Sequence, residues 1–214
     1  DPDKDQSYVL GVLNQDQLRR SLFPLADTPK PQVRAEAHSL GLRVADKPDS
    51  YDICFIPDGD TQGYLRAHLG ETPGPIVDRS GTELGRHRGH HGFTIGQRKG
   101  LDLRVPAPDG NPRYVLRIEP ASNRVVVGPG ESLLVTNLAG IRPTWTQHRV
   151  PGSWRGQVQY RAHGAALSAT ITTTGDDQVR VELDEPTRGV APGQSMVFFD
   201  ATRVVGSATI SGTS

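Results

Sequence analysis

Apolar positions along this chain follow two periods. Over the first fifty residues they recur at helical spacing, with Val33, Ala37 and Leu40 on one face. Asn14 followed by Gln17 reads as a capping box with Asn in place of the usual Ser or Thr, predicting a helix over about 15–22 that ends before Phe23-Pro24. Pro31 suits the first position of a second helix and Gly41 its exit. Asp46-Lys47-Pro48-Asp49-Ser50 is a polar loop leading into Ile53-Cys54-Phe55-Ile56, a short apolar run cut by Pro57. A third short helix is predicted over 63–69.

After Gly70 the apolar runs shrink to strand length between turn signals. Pro73-Gly74-Pro75 and Ser80-Gly81 are read as turns. Residues 114–118 and 124–127 predict a strand pair joined through 120–123. Further strands are predicted at 133–135, 156–161, 167–173, 179–183, 195–199 and 204–210. Val179-Arg180-Val181-Glu182-Leu183 alternates cleanly, with one face apolar. Short strands this close together predict a small barrel or sandwich. Gly128-Pro129-Gly130 interrupts the series and suggests a boundary near 128–132.

Composition narrows the classes. Lys and Arg number 24, as do Asp and Glu, so the formal net charge is zero and there is no global basic signal for nucleic acid. The ordinary charged fraction of 22% argues against disorder. Gly 24 and Pro 17 suit many short elements joined by turns. No apolar stretch approaches the roughly 20 residues of a membrane helix, and the polar start Asp1-Pro2-Asp3-Lys4 has no signal-peptide core. One cysteine excludes an internal disulfide and makes a cytoplasmic protein the expectation.

Several residues carry candidate chemistry. From its flanks alone, Cys54 reads as a buried structural thiol. Arg98 and Lys99 stand among Arg79, Arg86, Arg88 and Arg104, against Asp78, Glu83 and Asp102. That local basic region is either a phosphate track or a basic turn shaped by Gly96 and Gly100. His87, His90 and His91 lack carboxylate or thiolate companions for a zinc site, so no metal ligand is assigned; a turn of titratable, RNA-facing side chains is the reading. Trp145 and Trp154 are read as packing rather than as base-stacking platforms.

Four segments together resemble the tRNA 2-thiouridylase family: Lys4-Asp5-Gln6-Ser7-Tyr8, Asp49-Ser50-Tyr51-Asp52-Ile53-Cys54-Phe55-Ile56, Thr94-Ile95-Gly96-Gln97-Arg98-Lys99-Gly100-Leu101 and Pro192-Gly193-Gln194. They occur in one order across nearly the whole chain. The resemblance implies an α+β chain, mainly β: a short helical N-terminal segment (1–57) that is the tail of a catalytic domain, a small β-rich central domain (58–131), and a C-terminal β-barrel-like domain (132–214). The family's ATP-pyrophosphatase loop, Ser-Gly-Gly-Val-Asp-Ser, and its first active-site cysteine do not occur in these 214 residues.

By this resemblance the activity is ATP-dependent 2-thiolation of the wobble uridine of tRNAs for Lys, Glu and Gln. Cys54 would carry the sulfur as a persulfide received from a sulfur-donor protein. ATP and Mg2+ would serve the full-length enzyme and bind outside these residues, leaving this fragment inactive alone. Lys4, Asp5, Gln6, Arg98, Lys99, Tyr160, Arg161 and Gln194 match positions that face tRNA. Where the family usually has Arg before the Tyr-Arg pair, this chain has Gln159. The competing reading is a non-catalytic RNA-binding β-barrel module with a structural cysteine.

Overall fold

The structure is a computed structural model describing residues 4–48, 56, 59–103, 105–107, 109–147 and 152–214. Four short helices come first: α1 (Ser7–Leu10), α2 (Gln15–Arg19), α3 (Lys30–Ser39) and α4 (Thr61–Leu69). The predicted capping box is present: the Asn14 side chain accepts from the Gln17 amide, and the Gln17 side chain accepts from the Asn14 amide. Asp60 caps α4 by accepting from the Gly63 amide at 2.8 Å. None of the four helices contains a buried residue. Leu22, Leu25, Leu40 and Val44 are all exposed, leaving an apolar surface that the described residues do not cover.

Ten strands follow. β1 (Gly74–Val77), β2 (Glu83–His87), β3 (Arg113–Glu119) and β4 (Arg124–Pro129) form one sheet in the order β2-β1-β4-β3. β1 pairs parallel to β4, Ile76 beside Val125; the other pairings are antiparallel. Pro73-Gly74-Pro75, read as a turn, instead leads into strand β1. Pro75 sits on a short strand whose flanking residues supply the ladder, and Ile76, wholly buried, anchors it. The core of this sheet gathers Ile76, Leu84, Leu101, Val115, Val125 and Val127.

The remaining strands are β5 (Val135–Trp145), β6 (Ser153–Gln159), β7 (Leu167–Thr173), β8 (Gln178–Thr187), β9 (Ser195–Asp200) and β10 (Arg203–Thr213). They close into a barrel in the order β10-β5-β8-β7-β6-β9, with β9 also paired to β10. Closure removes the open edges that a small sheet would otherwise expose. Alternation on β8 places Val179, Val181 and Leu183 inward, as the pattern predicts.

β5 is far longer than the predicted 133–135 run. Residues 130–133 form a 3-10 turn instead, and β5 continues to Trp145 through Arg142, whose φ is +53°. Its polar and glycine-containing sequence hides its strand character; cross-strand partners on β8 and β10 supply the stabilisation. At Gly140 a Cβ would lie 2.1 Å from the methyl carbon of Met196, so the glycine makes room for the barrel core.

Phe198 is fully buried at the centre. Trp145 stacks against it at 5.8 Å between ring centres, and Trp154 meets it edge-on at 6.2 Å. Both tryptophans are therefore barrel packing. Phe198→Ala is expected to cost about 3–5 kcal/mol of unfolding free energy, read as a lower denaturant midpoint with an unchanged m-value.

Candidate nucleic-acid interface

The segment 94–100 is a tight loop held by one side chain. Gln97 Oε1 accepts from the Thr94 amide at 3.0 Å, and its Nε2 donates to the Lys99 carbonyl at 2.9 Å. The loop is laced to β3, with the Gly96 amide donating to the Val115 carbonyl and the Val115 amide to the Gln97 carbonyl. Gly96 and Gly100 have φ of +84° and +72°, a region that penalises any side chain. Gln97 is thus scaffold. Arg98 and Lys99 project from the loop, exposed, with no carboxylate partner among the described residues. Arg104 lies outside the described residues.

Tyr160 and Arg161 stand just beyond β6 and grip the turn that follows β8. Tyr160 is buried, only 8% exposed, with its ring in the barrel core. Its hydroxyl hydrogen-bonds the Thr187 hydroxyl at 2.7 Å and donates to the Arg188 carbonyl at 3.2 Å. The RNA-facing expectation for Tyr160 therefore meets a side chain turned inward. Arg161 Nη2 donates to the Gly189 carbonyl at 2.7 Å, leaving Nε and Nη1 without a partner among the described residues. Gln159, in the place of the family's arginine, donates to the Arg161 carbonyl at 2.8 Å and so trims the same corner.

This barrel turn meets the basic loop backbone to backbone. A Cβ on Gly96 would sit 3.4 Å from Gly189 Cα. Gly189 has φ +71°, and a Cβ there would collide with Arg161 Nη2. Arg188, exposed on the same turn, brings its Nη1 to 3.6 Å from the Cβ position of Gly130, so it too reaches the central sheet. Arg98, Lys99, Arg161 and Arg188 thereby come from two units onto one joint. Sequence reasoning missed Arg188; nothing in its local pattern sets it apart.

Five residues beyond Gly189 stands Gln194, half-buried, with Oε1 accepting from the Ala191 amide at 3.3 Å. Its neighbour Ser195 accepts a hydrogen bond from the Tyr8 hydroxyl at 3.0 Å, which ties α1 to β9. Burial raises the Tyr8 ionisation above its ordinary range. Gly11 packs on Val197, and the Gln15 side chain donates to the Thr146 carbonyl. These contacts bring Lys4, Asp5 and Gln6, at the head of α1, to the barrel end that carries Gln194. Asp5 is a local cap: it accepts from the Ser7 hydroxyl and amide, and these bonds lower its pKa. Among the described residues, Gln6 reaches the Lys4 carbonyl, at 3.4 Å. Cys54 lies outside the described residues.

The histidines divide: His87 is buried, whereas His90 and His91 are half-buried in the 3-10 turn that follows β2. His87 is buried on β2, and its Nε2 pairs with the Asn123 carbonyl at 3.2 Å, which assigns the proton to Nε2. Nδ1 is then a bare, buried lone pair with no partner among the described residues. Desolvation, first, and then the nearby His90, Arg86 and His91 charges depress the His87 pKa, against the Asn123 hydrogen bond. His90 Nδ1 pairs with Asn123 Oδ1 at 3.0 Å, while Asn123 Nδ2 donates to the Thr72 and Pro73 carbonyls. Asn123 is the hub that joins the β3–β4 turn to β2. Among the described residues no three His, Cys, Asp or Glu side chains gather as a metal site.

The chain joins a four-stranded sheet to a closed six-stranded barrel, and comparison with known proteins matches both parts. Three family models match in succession: "tRNA methyl transferase HUP domain" over residues 1–58, "tRNA methyl transferase PRC-barrel domain" over 62–129, and "Aminomethyltransferase beta-barrel domain" over 135–210. Similar curated proteins carry the name tRNA-specific 2-thiouridylase MnmA. The one from Acidothermus cellulolyticus is 59% identical over 213 residues, covering 100% of this chain and 59% of its own length. That from Cutibacterium acnes is also 59% identical over 213 residues, covering 100% of this chain and 58% of its own. The chain belongs to the tRNA 2-thiouridylase family and spans somewhat under three-fifths of the length of these relatives. No helix among the described residues is long and apolar enough to cross a membrane.

Two outcomes test this geometry. Gly189→Ala is expected to cost about 1–2 kcal/mol from the left-handed backbone and to displace Arg161. Combined with Arg161→Ala, its effect should fall short of the sum of the two single effects, because both substitutions act on the same contact. Because the folded-state pKa of His87 lies below its ordinary 6.5, the unfolded chain binds the extra proton first. The His87 contribution is therefore complete above about pH 6.5 and falls away as pH drops through the depressed value. Denaturant midpoints measured against pH should show this acid loss in the parent and not in His87→Gln.

Proposed function

We propose that this chain is the RNA-holding and sulfur-carrying part of an ATP-dependent tRNA uridine 2-sulfurtransferase acting at the wobble position of tRNAs for Lys, Glu and Gln. The observation that carries the reading is the joint at Gly96 and Gly189. It brings the loop that carries Arg98 and Lys99, which have no carboxylate partner among the described residues, against the turn that carries Arg188 and is held by Arg161, in a protein of zero formal net charge. Cations suit phosphates, which position the RNA, whereas base and ribose contacts suit amides such as Gln6 and Gln194. The 59% identity to thiouridylases, running through all of this chain, supports sulfur transfer over the methyl-transferase wording of two family descriptions.

In this reading the Cys54 thiolate takes a sulfane sulfur from a donor protein and becomes a persulfide. ATP adenylates O2 of the uridine. The terminal persulfide sulfur attacks C2, and AMP leaves with the former O2. A second cysteine, outside these 214 residues, then attacks Sγ of Cys54. The S–S bond to the transferred sulfur breaks, its electron pair goes to the sulfur now on C2, and the two cysteines end as a disulfide. Splitting one hard substitution into two easier ones is the logic of covalent catalysis.

ATP and Mg2+ are assigned to no residue of this chain. The exposed apolar side chains Leu22, Leu25, Leu40 and Val44 offer a surface on which an ATP-binding part would pack.

Two measurements check the proposal. In the full-length protein supplied with ATP, Mg2+ and a persulfide donor, Cys54→Ser should abolish 2-thiouridine formation while leaving tRNA affinity unchanged; retained thiolation would return the cysteine to a structural role. Arg98→Ala/Lys99→Ala should weaken tRNA binding and reduce the steepness of log K against log [salt] by about 0.7–0.9 for each phosphate that is no longer neutralised. An unaltered slope would leave the basic loop a structural turn. The 214 residues alone are expected to form no 2-thiouridine.

A further inference from the structure

A concavity lies beyond the basic loop, where α4 packs against the 3-10 turn His90–Gly92 that follows β2. It encloses about 210 Å³ and is walled by Gln62 and Arg66 from α4, Arg86 and Arg88 at the end of β2, His91 after it, and Asp102. Arg86 and Arg88 flank His87 on this wall; both arginines are exposed, whereas His87, which also lines the concavity, is buried. Arg66 approaches from the helix. Gln62 Nε2 donates to the Gly92 carbonyl at 3.4 Å, pinning the helix against the segment that carries His91.

Within the wall itself cations outnumber carboxylates. Three guanidiniums face one carboxylate, Asp102. Each arginine also has an acidic neighbour outside the wall: Asp60 at 4.0 Å from Arg66, Glu83 at 3.4 Å from Arg86 and Glu71 at 3.7 Å from Arg88. These are long, exposed pairs, of the kind worth little in water. They leave most of the five N–H donors of each guanidinium uncommitted. A planar fork of donors matches phosphate oxygens two at a time, which a lysine cannot do. The wall is also continuous with the loop described above: Gly100, Leu101 and Asp102 line it and directly follow Arg98-Lys99.

We propose that this pocket is a seat for a phosphodiester of the bound RNA, one or more nucleotides along the strand from the phosphates met by Arg98 and Lys99. The proposal rests on the reading that the chain holds tRNA. It assigns Arg66, Arg86 and Arg88 a shared ligand of one class, the phosphate group. The pocket adds affinity and fixes register without reading sequence, because a phosphate is the same beside every base.

The test compares four full-length proteins for tRNA binding over a range of salt: the parent, Arg86→Ala/Arg88→Ala, Arg86→Lys/Arg88→Lys, and Arg98→Ala/Lys99→Ala. The pocket variant is expected to bind tRNA more weakly and to flatten the salt slope by about 0.7–0.9 per phosphate released, with an unchanged melting temperature. Arg86→Lys/Arg88→Lys, which keeps the charge and removes the fork, should restore most of the slope and only part of the affinity. A flattened slope in the loop variant beside an unchanged slope in the pocket variant would overturn the pocket and leave the proposed function standing. Unchanged slopes in both would overturn both. Inorganic phosphate, titrated calorimetrically, separates the sources. Saturable phosphate binding that is abolished in the pocket variant, with tRNA binding unaffected, would make this a free-phosphate site and overturn the RNA assignment.

Discussion

The closed barrel is the constraint on which the remaining structure rests. β10 pairs on one side with β5 and on the other with β9, and bulges near Gly206 and between Ser207 and Thr209 let it turn the corner. The interior is then too small for anything but side chains, and Phe198, Met196, Leu138 and Ile171 fill it. Once the ring is closed, the ends of its strands are fixed in space. The turn after β8, the Gln194 corner before β9 and the end of β6 become rigid points onto which the other segments dock.

Two dockings matter for function. One is the approach of Gly96 to Gly189, where neither residue has a side chain to hold the backbones apart. Tyr160 and Arg161 stabilise it from the barrel side, with the tyrosine hydroxyl and one guanidinium nitrogen tying down residues 187–189. The other is the hydrogen bond from Tyr8 to Ser195, which carries the head of α1 to the same region. The stretch 187–195 is therefore common to both. It couples the basic loop of the central sheet to the Lys4–Asp5–Gln6 segment through a few short backbone contacts, and displacement of either end would shift the other.

The central sheet has a comparable organiser of its own. Asn123, with φ +50°, sends both ends of its amide across the sheet end and offers its carbonyl to His87. The turn before it is further held by Glu119, whose carboxylate takes hydrogen bonds from Arg124, Arg117 and Ser122 and is pulled down to about 2. Arg117 and Arg124 are thereby occupied, whereas Arg98 and Lys99 meet no carboxylate among the described residues. That pairing marks Arg117 and Arg124 as cations that shape a turn, both bonded to the one Glu119 carboxylate.

Much of the local structure was legible from the chain. The Asn14–Gln17 box, the β7 limits and the inward face of β8 follow from patterns a few residues long, because caps and alternation are settled by neighbours. Family membership was legible too, since its four segments are contiguous strings. β1 was not, because its prolines argued for a turn and only pairing with β2 and β4 made a strand of it. The length of β5, the inward Tyr160, the buried His87 and the role of Arg188 were also hidden. Each depends on residues distant in the chain that barrel closure and sheet assembly bring within hydrogen-bonding or van der Waals range. The sequence by itself determined the periods, the caps and the family. The tertiary structure decided which polar side chains face a partner and which are consumed in holding the fold, because burial and hydrogen bonding are properties of the assembled surroundings and not of the local run of residues.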